Sequence, residues 1–155
     1  MTVIVMTLIT GAFVTFTYLF QPDQPDEAKI ERGLLLPALI EDWGSQEKTI
    51  ILALSTTCIY CTDSAGFYRT LVDKFGESKE IRIIGVFSEE KEVGEKYLQK
   101  LGVKINFIEQ ASLADINVVA TPTIILIDKN RRVVDSWVGK LNETSQTEVL
   151  KANER

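Results

Sequence analysis

The chain holds two cysteines in 155 residues, Cys58 and Cys61, with Ile59 and Tyr60 between them. A thiolate is both a nucleophile and a metal ligand, so the pair has chemistry available to it. With two residues between them, two thiols can close a small ring and reopen it, which is the cycle of thiol–disulfide exchange. Three blander readings stand beside that one. A structural disulfide gains little from so small a loop, because loop-closure stabilisation grows with loop length. Half of a zinc site needs two further ligands, and the sequence has no histidine and no other cysteine to supply them. Two inert core thiols complete the set. The absence of histidine also removes His-based acid–base catalysis and every His-containing triad.

Exchange chemistry needs one exposed, ionisable thiol, and the elements around the pair are patterned to present one. Ile50–Leu54 is a continuous apolar run of strand length, as expected for a strand buried on both faces. Ser55-Thr56-Thr57 makes a polar loop into Cys58, after which Cys61, Ala65, Tyr68, Val72 and Phe75 recur at helical spacing as far as Gly76. Cys58 therefore falls at a helix N-terminus, where unpaired N–H groups and the macrodipole favour a thiolate. Ile81–Phe87 is a second strand. Ser88 is placed to cap a further helix with Glu89 and Glu90 in its first turn and Val93, Tyr97 and Leu101 on its buried face, stopping at Gly102. Ile105–Ile108 suits a short strand and Thr123–Ile127 a fully apolar one. Asp128–Arg131 suits a hairpin turn with Asn130 at positive φ, and Val133–Val138 returns as the antiparallel partner. The tail after Asn142 is weakly helical. The order β-α-β-α-β-β-β-α predicts an α/β domain, a central mixed β-sheet flanked by helices.

With these elements in place the sequence resembles the thioredoxin-like superfamily, and within it the TlpA/ResA-like branch of membrane-anchored thiol–disulfide oxidoreductases. The resemblance spans roughly residues 48–141. It rests on the strand running into Cys58-Ile59-Tyr60-Cys61, on Ala120-Thr121-Pro122-Thr123 followed by IILID, and on RVVDSWVGKL. It implies a thioredoxin-like fold, Cys58 as exposed nucleophile, Cys61 as buried resolving thiol and a cis bond at Thr121–Pro122 beside them. Thr121 would then offer its backbone to a bound peptide. Three departures follow from the same resemblance: Thr57 replaces a tryptophan, Leu52 a buried acid, and Gly66 a helix-kinking proline. Ile59, Tyr60 and Thr121, with Trp43 or Trp137, are candidates for an apolar substrate-binding rim. The alternative for both tryptophans is ordinary packing. No Lys or Arg lies close in sequence to Cys58, so the helix dipole alone would act on its thiolate, which points to a reducing or mid-potential couple that reduces disulfides rather than installing them.

Residues 1–20 carry no charged side chain: fourteen are apolar, five are threonine and one is glycine. As a helix they would reach about 30 Å, the thickness of a hydrocarbon core. The expectation is an uncleaved transmembrane anchor, with a cleaved signal peptide and a buried core helix as rivals. Residues 21–47 would be a tether and N-terminal extension, and 48–155 the thioredoxin-like domain. Lys29 and Arg32 after the span weakly favour a cytoplasmic domain by charge count. Disulfide chemistry instead favours an extracytoplasmic one, because protein disulfides persist there. The net charge of −5 argues against nucleic acid. The expected partners are protein disulfide or dithiol substrates and a dithiol electron donor, met by a monomer that needs no bound cofactor. A non-catalytic binding module of the same fold and a thiol peroxidase are the competing functions.

Overall fold

A computed structural model describes residues 29–39 and 46–154. The expected span at 1–20, the tether at 21–28 and Trp43 lie outside these. Among the described residues no helix is long and apolar enough to cross a membrane.

The sheet has five strands: β1 (Lys48–Leu54), β2 (Ile81–Phe87), β3 (Phe107–Gln110), β4 (Thr123–Asp128) and β5 (Val133–Val138). Their order is β3-β2-β1-β4-β5, with β2 parallel to β1 and to β3, and β4 antiparallel to both β1 and β5. β1 lies at the centre, and Ile50 to Leu54 are all fully buried. That is why this run lacks the alternation of a half-exposed strand. Its side chains divide between two cores. Ile50, Leu52 and Leu54 meet the helical side, with Cys61, Tyr68, Leu71, Leu98 and Val149. Ile51 and Ala53 face Ile30, Leu36, Ile116 and Val118 on the other side.

The helices are α1 (Ile59–Asp63), α2 (Ala65–Phe75), α3 (Lys91–Lys100) and α4 (Glu143–Glu154). Asn142 Oδ1 accepts the Ser145 N–H at 2.9 Å and so caps α4. The second face is covered differently: by residues 30–36, and by a 3₁₀ turn over Leu113–Ile116 that ends on Asn117 at φ 58°. Leu35 bridges antiparallel to Arg132, and Leu36 N–H donates to the Arg131 carbonyl, so this segment covers the outer edge of β5. An uncovered strand edge would be free to pair with another chain.

Four local expectations are corrected. The run from Cys61 to Phe75 is two helices rather than one, broken at Ser64, whose Oγ and N–H both bond the Tyr60 carbonyl. α3 starts after Glu90 and buries Gly94 and Leu98, while Val93 is exposed. A Cβ at Gly94 would stand 2.7 Å from the Phe87 ring, so the helix sits on Phe87 through a missing side chain that hydrophobic periodicity cannot register. β3 starts at Phe107, two residues later than the apolar pattern suggested. In the β4–β5 turn it is Arg131, at φ 64°, that takes the left-handed conformation, because Asp128 Oδ1 holds the N–H groups of Asn130 and Arg132.

Candidate active site

β1 ends at Leu54, and the three-residue loop after it is fixed from β2, the next strand. Glu89 lies just past the end of β2. Its Oε1 accepts from Ser55 Oγ at 2.9 Å, Thr56 N–H at 2.8 Å and Thr56 Oγ1 at 2.9 Å. Burial opposes ionisation of this carboxyl, but the bonds from Thr56 and Ser55 outweigh it and hold its pKa below the usual value. The sequence reading assigned Glu89 to the first turn of a helix and missed this role. The adjacency of β2 and β1, which only the sheet order reveals, is what brings it here.

The braced loop delivers Cys58 to the N-cap of α1, at φ −83° and ψ 115°. Its Sγ accepts the Cys61 N–H at 3.2 Å, and its thiol donates to the Thr121 carbonyl at 3.2 Å. Burial resists ionisation of Cys58. Hydrogen bonds from the side chains of Cys61 and Thr121 and from the backbone of Cys61 and Tyr60 overcome it, leaving the thiol more acidic than usual. Cys61 is fully buried in the helical-side core. Burial first, then its hydrogen bond with Cys58, pushes its pKa up to about 12. Both residues are free thiols. Two cysteines three residues apart thus sit in opposite electrostatic situations, one poised to ionise and one held neutral.

α1 is fastened on both sides. Thr62 Oγ1 and Tyr97 Oη are 3.0 Å apart, and Lys140 Nζ meets Asp63 Oδ2 at 3.0 Å. The break between α1 and α2 falls at Ser64, and Gly66 stands two residues beyond it, in the first turn of α2. Across from the cysteines the Thr121–Pro122 bond is cis. The loop is held by Thr123 Oγ1 donating to the Ala120 carbonyl at 2.7 Å and by Gly139 N–H donating to the Pro122 carbonyl at 2.7 Å.

The structure therefore brings Cys58, Cys61, Thr121 and Pro122 together, with Ile59 and Tyr60 exposed on α1. Trp137 is not part of a rim: it is buried in the core and paired in register with Ile124. Val119 was missed by the sequence reading and is strongly exposed two residues before Thr121. Val119 follows the buried Val118 in an irregular segment, where no periodicity tells the exposed valine from the buried one.

No family model and no curated protein matches the chain. Solved structures do. One, assigned as the thiol:disulfide interchange protein DsbE from Chlorobium tepidum, superposes with a TM-score of 0.65 at 18% identity, over 81% of this chain and 96% of that one. The chain has a thioredoxin-like fold. A thioredoxin domain of a thiol-disulfide oxidoreductase from Bacteroides vulgatus gives 0.64 at 15% identity, over 81% and 99% of the two chains. StoA from Bacillus subtilis gives 0.57 at 15%, over 73% and 85%. The thioredoxin-like domain described here thus shares the architecture of thiol–disulfide oxidoreductases and carries its cysteine pair at the end of the central strand.

Proposed function

We propose that this protein is a membrane-anchored thiol–disulfide oxidoreductase that reduces protein disulfides on the extracytoplasmic side, acting as a monomer without a bound cofactor. One observation carries the reading: the Cys58 sulfur sits at a helix N-terminus and accepts the Cys61 N–H at 3.2 Å, with the two thiols shifted in opposite directions.

Cys58 ionises and its thiolate attacks one sulfur of a substrate disulfide. A Cys58–substrate disulfide forms, and the other substrate sulfur leaves as a thiolate that takes a proton from the medium. Cys61 then gives up its proton and attacks the Cys58 sulfur. The intramolecular disulfide closes and the second substrate sulfur leaves, so two electrons have passed from protein to substrate. An external dithiol restores the pair. The Thr121 carbonyl, already at hydrogen-bonding distance from Cys58 Sγ, is positioned to take a backbone N–H of the incoming peptide. Only hydrogen bonds favour the Cys58 thiolate, with no cation among the groups that shift it. A thiolate stabilised no further than this belongs to a reducing couple rather than a strongly oxidising one.

The test is trapping in cells. Cys61→Ser should accumulate mixed disulfides with envelope proteins, visible as adducts that collapse with dithiothreitol, and Cys58→Ser should form none. Full activity retained by Cys58→Ser would instead support a binding module.

A further inference from the structure

The second step of the exchange releases a proton inside the molecule. Cys61 is fully buried and its pKa is pushed up to about 12, so it approaches the mixed disulfide as a neutral thiol and must shed its proton in the core. The sequence has no histidine to take it, and among the described residues no Asp or Glu is buried. Glu89, half-buried past the end of β2, commits Oε1 to Ser55 and Thr56.

Tyr68 follows Cys61 by seven residues, across the break at Ser64. It is 1% exposed and belongs to the same helical-side core as Cys61 and Leu52. Its Oη is buried with no hydrogen-bond partner among the described residues. Leaving a buried hydroxyl unpaired costs stability, and a phenylalanine would avoid that cost. Ser64 Oγ, one turn earlier, gives its own hydrogen to the Tyr60 carbonyl at 2.7 Å. Burial most of all, and then the charge of Cys61, hold the phenol well above its usual range; Tyr97 and Cys58 act in the same direction and Ser64 against it. Cys61 is thus the ionisable group the phenol senses most. A narrow pocket leads outward from here, lined by the buried Ser64 and Tyr68 and by the half-buried Gly139 and Gln146.

We propose that the Tyr68 hydroxyl carries the proton of Cys61 out of the core as Cys61 attacks. This rests on the exchange reading proposed above. As the bond between Cys61 Sγ and Cys58 Sγ forms and the bond from Cys58 to the substrate breaks, the S–H bond of Cys61 breaks too. Its proton passes to Tyr68 Oη, and the proton that Tyr68 held leaves along the pocket to the medium. The phenol is neutral before and after. The electron count is the one already written, with two electrons passing to the substrate sulfurs. A hydroxyl suits this relay because it accepts through its lone pairs and donates through its hydrogen.

The experiment follows the two thiols separately in the reduced full chain, held in detergent. Dithionitrobenzoate at one equivalent releases one coloured nitrothiolate when Cys58 attacks it and a second when Cys61 resolves the Cys58 adduct. The variant is Tyr68→Phe, which keeps the ring and removes an atom with no hydrogen bond to lose. The first phase should be unchanged. The second should slow at least about tenfold at about pH 7, since a positioned acid–base group contributes about 10²–10⁴-fold. In the variant only Cys61 that is already ionised attacks, so its second phase should climb about tenfold per pH unit and approach the natural rate as pH rises. Equal second phases at neutral pH overturn the proposal. A slowing that is the same at every pH, or one accompanied by a clearly lower melting temperature, marks a packing role and overturns it too. Absence of a second phase in the natural protein removes the exchange reading itself, a result told apart from a wrong carrier without any variant.

Discussion

Cys58 Sγ and the Thr121 carbonyl oxygen stand 3.2 Å apart across a sequence separation of 63 residues. Two strand pairings produce this contact. β1 lies antiparallel to β4 with Ala53 opposite Thr123, so the end of one strand and the start of the other meet at the same edge of the sheet. The proposed nucleophile and the backbone proposed to hold its substrate are therefore positioned by the most deeply buried part of the molecule.

The opposite shifts of the two thiols set the pH behaviour. At neutral pH iodoacetamide should modify one thiol of the reduced protein, and Cys58→Ser should leave none reactive on that timescale. Cys61, with a pKa of about 12, remains a neutral thiol. Its folded pKa lies above that of an unfolded thiol, so its contribution to stability is intact below about pH 9 and is lost as pH rises towards 12. Denaturant melts of reduced protein should show a larger loss than melts of the disulfide form, in which no thiol ionises and only groups such as Tyr68 and Tyr97, whose hydroxyls burial also pushes up, contribute.

Glu89 tests whether the loop before Cys58 is held from β2. Glu89→Ala removes the acceptor of three hydrogen bonds, leaving the Thr56 N–H and Oγ1 without this partner and Ser55 Oγ with Thr57 alone. Hydrogen bonds to a charged group are worth about 1.5–3 kcal/mol, so a stability loss of that order is expected. Faster amide exchange at Thr56 should accompany it, and unchanged exchange there would show that the loop is held by other means.

Two glycines should respond in opposite ways. Gly94→Ala places a Cβ 2.7 Å from the Phe87 ring, and overpacking of this kind costs about 1–3 kcal/mol. At Gly66 the nearest atom to a new Cβ is Arg69 Nη2 at 3.8 Å, so Gly66→Ala should stabilise α2 by about 0.5–1 kcal/mol. Thermal melts of both variants give the signs directly.

The parts of the fold that were legible in the sequence are those whose signal is local. The apolar run of Ile50–Leu54, the strand at Val133–Val138 and the strand–CxxC–helix order are each contained in a few consecutive residues. Contacts between distant segments were not legible. Glu89 looks like a helix-start residue until the sheet order sets β2 beside β1. Gly94 contributes by lacking a side chain, so the apolar face of α3 was placed one residue too early. Of the two readings open for Trp137, rim or packing, its register against Ile124 and its burial in the core decide for packing.

The most direct test of the central claim is the redox equilibrium of the full-length protein against a graded dithiothreitol or glutathione buffer, read by alkylation of Cys58. A single reversible two-electron couple near about −270 mV or lower is the expected result. A couple near about −120 mV would contradict the reducing direction. No reversible couple between Cys58 and Cys61 would contradict the exchange chemistry itself.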